Sequence, residues 1–394
     1  MCEREFPIAA AEEKISQVAS SLSLVFSTKY ADRSKAVASS SLINGVGVTV
    51  AEGAGKGVHS AIGAQAECLE HYAFDHLSSQ NIVSSFVSDI RDQPLLKMDG
   101  LIANLPMLRA SIDCVEMADM RNGTAVRVPA LLQLPRKELA DKIRSYPSLC
   151  FLNRYSSNSG VAFGCSENEA VLHGLNEIIE RHVLSKVLMS LCCLHEQLVL
   201  SIPSDGMLDQ AFLDHSEFRS VAAGMKILIA KTMYGVYFCL AIPKTPDGRF
   251  PLCPMGSGCS VDVHIAIQRA STELLQAMAL FDASEKATDL QALALLRRSL
   301  KLHPLISLDV LRNIGYACRP IDPPAPKSVA DQVNWIVERI TATGLTVLKS
   351  NLYKFTNGCA VTQVYVPGLE RFNLIRAGSP VVPQCLLLAN RSVV

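Results

Sequence analysis

Neither charge sign predominates in this chain: Lys and Arg number 37, and Asp and Glu also number 37. No global field therefore draws it to nucleic acid or to an anionic membrane, and any phosphate binding must be local. Thirteen cysteines are present, yet none forms a C-x-x-C pair and only Cys192 and Cys193 are adjacent. A reduced, cytoplasmic protein is the simplest reading of that usage. Met1 to Glu5 lack the basic start and apolar run of a secretory signal. The most apolar stretch, His182 to Ile202, carries Lys186, His195 and Glu196, whereas a spanning helix needs about 20 residues almost free of charge. It reads as a buried helix, and no membrane association is expected.

Common catalytic signatures are also missing. The histidines make no H-E-x-x-H and no G-x-S-x-G occurs, so zinc-protease and serine-hydrolase readings have no support. Gly53 to Gly57 falls short of a phosphate-cradling P-loop: Gly57 follows Lys56 where Ser or Thr is needed, and Val50 stands where the first Gly belongs. Gly45-Val46-Gly47 is only a fragment of a dinucleotide fingerprint.

What is there is a repeated acidic phrase inside apolar segments: Glu67-Cys68-Leu69-Glu70, Glu177-Ile178-Ile179-Glu180 and Glu273-Leu274-Leu275-Gln276. Residues three apart share one helix face, with β-carbons about 5–6 Å apart, so each of the first two phrases aims two carboxylates at one point. Such a pair is ordinarily a solvated helix face. Here the neighbours are apolar and the phrase recurs, which favours convergence on a cation. Oxygen-only donors suit a hard ion, and Mg²⁺ is usually held by a few carboxylates together with substrate phosphates. A di-iron bundle needs Glu-x-x-His, whereas His71 and His182 fall off that spacing.

The order of elements reads as α/β. Ser41 to Gly57 predicts strand and glycine turn, followed by a helix over Ser60 to His76. Val161 to Gly164 precedes a helix over Ser166 to Leu188, with Ser166 and Glu169 as a capping box. Met225 to Ile229 and Val236 to Ile242 predict strands, with a third around Phe250 to Pro254. Gly256-Ser257-Gly258 then reads as a turn before a helix over Asp262 to Phe281. Asp282 to Asp289 reads as a mobile stretch, Pro320 to Pro326 as a stiff connector, Ser328 to Thr343 as a helix, and Thr346 to Leu352 with Ala360 to Tyr365 as a strand pair. The recurring strand–glycine–helix unit suggests duplicated parts around one shared site, within a single domain made of an N-terminal segment (1–40) and a main body (41–394). Arg269 and Glu273, one helical turn apart, read as a partly buried pair suited to phosphate oxygens.

These motifs, in this order, resemble the YcaO domain. The resemblance runs from about Gly45 to Gly368 and rests on Gly55-Lys56-Gly57 with Glu67 and Glu70, then Ser157-Asn158-Ser159-Gly160 with Glu177, Glu180 and Arg181, then Arg269 with Glu273. It implies a YcaO-like mixed α/β fold around a central ATP and Mg²⁺ site. By resemblance Glu67, Glu70, Glu177 and Glu180 are metal ligands, and Arg181, Arg269, Glu273, Glu169 and Ser159 belong to the nucleotide site. The implied activity is ATP-dependent activation of a peptide backbone amide, giving an azoline in a ribosomally made precursor peptide, or a thioamide where sulfide is the nucleophile. A nucleotide-binding accessory role without peptide chemistry stays open beside these. The implied partners are the precursor peptide and a separate leader-binding or sulfur-delivering protein, with a homodimer left open. Two positions depart from the family: Gly164-Cys165-Ser166 replaces a Gly-Asn-Thr, and the chain ends Ala389 to Val394 where azoline-forming members often carry Pro-x-Pro-x-Pro. The lysine and serine that the family uses near its N-terminus have no evident counterpart, and His264, His71 and the C-terminal segment are all candidates for the general base.

Overall fold

The structure, a computed structural model, describes residues 3–33, 35–77, 82–213, 216–316 and 328–389. β1 (Val25–Tyr30), β2 (Val37–Ile43) and β3 (Thr49–Lys56) form one antiparallel sheet in chain order. β8 (Met225–Lys231), β9 (Tyr237–Pro243) and β10 (Gly256–Ser260) form a second. The largest sheet draws strands from before and after the second sheet and runs β4 (Ile82–Phe86), β5 (Ser111–Asp119), β11 (Leu348–Lys354), β12 (Ala360–Tyr365), β7 (Val161–Gly164), with β6 (Ala125–Pro129) on β5.

Three of these strands lead into the helices that carry the acidic phrases. β3 precedes α2 (Ser60–Tyr72), β7 precedes α3 (Glu167–Leu191) and β10 precedes α4 (Val263–Ala279), while α1 (Ile8–Ser21) opens the chain. α2 packs back on β3 and α4 on β10. Glycine makes that approach possible: a β-carbon at Gly55 would stand 1.7 Å from the Ser60 carbonyl oxygen, and one at Gly256 2.2 Å from that of Ala270. Gly53, Gly55, Gly256 and Gly258 therefore lie within strands, not in turns as expected, because the helix backbone sits directly on them, while Gly57 is in the turn after β3 at φ 81°. Gly45-Val46-Gly47 is the loop between β2 and β3.

α3 is the central element. Ser166 caps it by accepting from the Glu169 amide at 3.2 Å, and its 25 residues span roughly 37 Å at 1.5 Å per residue. Leu175, Ile179 and Leu188 are fully buried, each such side chain worth about 1.5–3 kcal/mol. The helix is buried along most of its length because β7, β12, β10 and α6 (Val329–Ala342) pack around it.

Other sequence expectations need correction. The third strand of the second sheet is Gly256–Ser260, displaced from the Phe250 to Pro254 expected, and those earlier residues line a cavity instead. The stretch from Asp282 is ordered as α5 (Ala283–Leu296), capped by Asp282 Oδ1, which accepts from the amides of Ser284 and Glu285. The buried helix through His182 stops at Leu191 rather than running to Ile202. The Pro320 to Pro326 connector lies outside the described residues. The described cysteines are all free, and no helix among the described residues is long and apolar enough to cross a membrane.

Candidate metal and nucleotide site

α2, α3 and α4 meet at a cavity of ≈ 1160 Å³ whose wall includes Glu67, Glu70, Glu177, Glu180, Arg181, Arg269 and Glu273. All five carboxylates are aimed by strand or loop donors, four of them by backbone amides or a hydroxyl. The Ala54 amide donates to Glu67 at 3.1 Å, Phe163 to Glu70 at 2.9 Å, Gly160 to Glu177 at 3.0 Å, and the Ser257 hydroxyl to Glu180 at 2.6 Å. The fifth, Glu273, takes Lys56 Nζ at 2.6 Å. A cyclic order results: the α2 carboxylate reaches β7, the α3 carboxylate reaches β10, and the α4 carboxylate reaches back to β3.

The electrostatics follow from burial. Glu70 is pushed well above the usual carboxylate range by burial and then by the charges of Glu67 and Glu177, against which the Phe163 amide pulls. Burial also raises Glu177 and Glu180; Arg181 opposes it in both, while Glu273 adds repulsion to both. Arg181 stands 3.7 Å from Glu177 and 3.6 Å from Glu180. Glu273 is only half-buried, and Lys56 and Arg181 outweigh the desolvation that remains and hold it below its ordinary value.

A carboxylate cluster short of cations is what a hard metal ion corrects. Among the described residues no group of three or more His, Cys, Asp or Glu closes tightly enough to cage an ion alone. That suits Mg²⁺, whose octahedral shell normally keeps waters and substrate phosphate oxygens. The donor set is oxygen throughout, and the cations Arg181, Arg269 and Lys56 stand along the same wall.

Two expected residues lie elsewhere. Ser159 faces a small neighbouring pocket, bonded to the Ser157 hydroxyl at 2.8 Å, with Arg181 shared between both spaces. Glu169 is buried and accepts from the Cys165 amide at 3.0 Å and from the Glu5 amide, so the N-terminal segment covers it. The expected Arg269–Glu273 pair does not form; Arg269 turns to the Cys259 carbonyl at 2.8 Å and to Glu3, leaving Glu273 to Lys56. His71 bonds the Glu52 carbonyl, and His264 pairs with Asp262 at 3.1 Å.

The site also holds residues that spacing did not single out. Lys56 was visible only as part of the glycine motif, and Ser257 only as a residue between two glycines. Glu3, Arg4 and His173 enter the cavity with no motif of their own. His173 opens onto the cavity, where desolvation by the wall and then the charges of Arg269, Arg4 and Lys56 push it down to about 3.

Fold and site together define an α/β protein with five glutamates and the cations Arg181, Arg269 and Lys56 on the wall of one cavity. The chain belongs to the YcaO family: the family model described as YcaO cyclodehydratase, ATP- and Mg²⁺-binding, matches residues 54–370. ATP and Mg²⁺ are its cofactors. The fold is similar to that of the YcaO of Methanopyrus kandleri bound with AMPPCP and Mg²⁺, at TM-score 0.65 and 19% identity over 96% of each chain. It is also similar to a heterocyclase in complex with substrate and cofactor, at TM-score 0.63 and 17% identity over 94% of this chain and 54% of that one. A chain of the E. coli microcin synthetase McbBCD complex matches at TM-score 0.52 and 13% identity, over 88% of each chain. A protein of Rhizobium leguminosarum bv. trifolii, named as uncharacterized and encoded in the tfuA 3' region, is 28% identical over 228 residues. That match covers 54% of this chain, which spans about half (52%) of the relative's length.

Proposed function

We propose that this protein activates a peptide backbone amide with ATP and closes an azoline ring. The observation that carries the reading is the cyclic set of carboxylates around one cavity, with Arg181 and Lys56 between them. In this reading Glu67, Glu70, Glu177 and Glu180 hold Mg²⁺, while Arg181, Arg269 and Glu273 serve the nucleotide.

A peptide amide oxygen is a poor leaving group, so attack by a neighbouring Cys, Ser or Thr side chain stalls at a tetrahedral oxyanion. Bound Mg²⁺·ATP supplies the phosphoryl group that lets this oxygen depart as phosphate, leaving ADP and a peptide lighter by one water. The chain's part is positioning and charge. Glu70 and Glu177 are fixed by backbone amides and Glu180 by a hydroxyl, so their directions are set before ligand arrives. Arg181, braced against two glutamates, offers a guanidinium where negative charge moves between oxygens. Lys56 Nζ donates to Glu273 at 2.6 Å and fixes that carboxylate in turn.

One observation favours a thioamide product instead. Among the described residues nothing after Ala377 lines the cavity, and the last helix, α7 (Gln384–Ala389), packs on residues 100–103 and is tied down by Glu370, which accepts from the Gln384 and Cys385 amides. The described C-terminal helix is thus anchored away from the cavity, which in this reading favours sulfur delivery over ring closure. A precursor peptide and a separate delivering protein complete either reaction, with the single YcaO body as catalyst.

The test is incubation with ATP, Mg²⁺, a precursor peptide encoded beside the gene and the neighbouring partner protein. Loss of one water marks an azoline, and exchange of oxygen for sulfur marks a thioamide. An unchanged peptide without ATP turnover sinks both, and Glu180→Ala is expected to stop turnover with the fold intact.

A further inference from the structure

Three donors from separate elements meet on a carboxylate of the N-terminal segment: Arg269, which lines the cavity, and Ser260 and Asn176, which are buried behind it. Ser260 Oγ donates to Glu3 Oε1 at 2.6 Å, Asn176 Nδ2 donates to the same oxygen at 3.3 Å, and the Arg269 guanidinium donates to Glu3 Oε2. The Glu3 side chain is only 7% exposed. Its neighbours hold the segment down: the Glu5 amide donates to Glu169 and the Glu5 carboxylate accepts from Asn168 at 3.1 Å, while Arg4 lies 3.9 Å from Glu169. Glu3, Arg4 and Phe6 form part of the same cavity wall as Arg269.

A guanidinium, a hydroxyl and a carboxamide nitrogen directed at one point make an anion cradle, and charge-assisted bonds are the strong ones in such a site. Glu3 supplies that cradle with its anion. Neither Ser260 nor Asn176 lies in an acidic phrase or a glycine motif, so the cradle emerges only from the fold.

We propose that Arg269, Ser260 and Asn176 form an anion site for the phosphate chain of the nucleotide, and that Glu3 fills it in the free protein as a built-in competitor. The inference rests on the reading of this cavity as the ATP site. Nucleotide and Glu3 then exclude each other. A latch closed in about ten molecules of eleven weakens apparent affinity roughly tenfold, because only the open fraction binds. Release of the segment also uncovers Glu169, which the Glu5 amide otherwise occupies.

Titration of the full-length protein with AMPPCP and Mg²⁺ tests this. Glu3→Gln keeps the shape and removes the charge, and it is expected to bind about tenfold more tightly than wild type. Adding Ser260→Ala to Glu3→Gln is expected to weaken binding again, since a ligand donor is lost. In wild type, trypsin cleavage after Arg4, read as loss of residues 1–4 by mass, is expected to accelerate when AMPPCP and Mg²⁺ are added. Equal or weaker binding by Glu3→Gln, or cleavage unchanged by nucleotide, overturns the latch. Absence of AMPPCP binding by both proteins overturns the ATP-site reading itself, and that outcome is distinct from the other two.

Discussion

Lys56 Nζ stands 2.6 Å from Glu273 Oε2 and joins the strand of the first strand–helix unit to the helix of the third. It completes a circle of contacts begun by Phe163 with Glu70 and Ser257 with Glu180. Both partners are partly open, with side chains 32% and 23% exposed, so the pair lies between a surface ion pair and a buried one. Lys56→Met is expected to release Glu273 upward from its lowered value and to cut ATP turnover about 100-fold, on the scale of one lost electrostatic group. A double-mutant cycle with Glu273→Gln is expected to show a coupling of about 0.5–1.5 kcal/mol in thermal or denaturant unfolding. Zero coupling would mean the two side chains are neighbours without an interaction.

Gly55→Ala tests whether strand–helix contact sets the metal site. The new β-carbon would meet the Ser60 carbonyl at 1.7 Å and the Ala64 nitrogen at 2.4 Å, both backbone atoms that no rotamer change can move. α2 must shift off β3, at about 1–3 kcal/mol or more, and Glu67 and Glu70 move with it. The expected result is a lowered melting temperature together with loss of Mg²⁺-dependent ATP turnover. Full activity in a folded Gly55→Ala protein would show that the position of α2 does not set the site.

That contact explains what was and was not legible beforehand. The i, i+3 spacing of Glu67 with Glu70 and of Glu177 with Glu180 is local, and one helix carries it, so the sequence shows it directly. Gly55 and Gly256 were noticed but placed in turns, because a glycine required by another element's backbone looks the same in sequence as one required by φ. Arg269 with Glu273 has correct helical spacing, yet its real partners, Glu3 and Lys56, are more than 200 residues away. Such pairings depend on how three units close around a point, and no window of a single helix contains that information.

Ser257 is argued to act through Glu180, as a positioning residue. Its hydroxyl donates at 2.6 Å to a carboxylate that burial already raises. Ser257→Ala removes the aim and leaves the ligand, so the Mg²⁺ concentration needed for half-maximal ATP turnover is expected to rise about 10–100-fold, with turnover recovered at saturating Mg²⁺. Glu180→Gln removes the ligand charge itself and is expected to show no such recovery. Identical behaviour of the two variants would remove the distinction.

The raised carboxylates carry a pH signature whose sign can be worked out. Glu70, Glu177 and Glu180 start from an ordinary value of 4.5 and lie higher in the fold, so above 4.5 the folded state binds more protons than the unfolded one. Stability is then lost as pH rises toward the folded values. Glu273, which is lowered, contributes stability above 4.5 and loses it only at more acid pH. His173 and His182, each pushed down to about 3 from 6.5, oppose the three glutamates between those values and become silent above 6.5. The informative window is therefore above pH 6.5. There, in metal-free protein, Glu70→Gln is expected to raise the melting temperature, because it removes a carboxyl whose ionised form burial and Glu67 disfavour and leaves a neutral group that can still accept from the Phe163 amide. The same variant is expected to lose the rise in melting temperature that Mg²⁺ with AMPPCP gives wild type, a rise that grows with pH because cation binding favours the ionised carboxylates. Stability gained and ligand response lost in one substitution is the behaviour of a side chain kept ionised for a cation; a melting temperature lowered by Glu70→Gln at pH 7.5 would instead make Glu70 a structural anchor of α2 on β7.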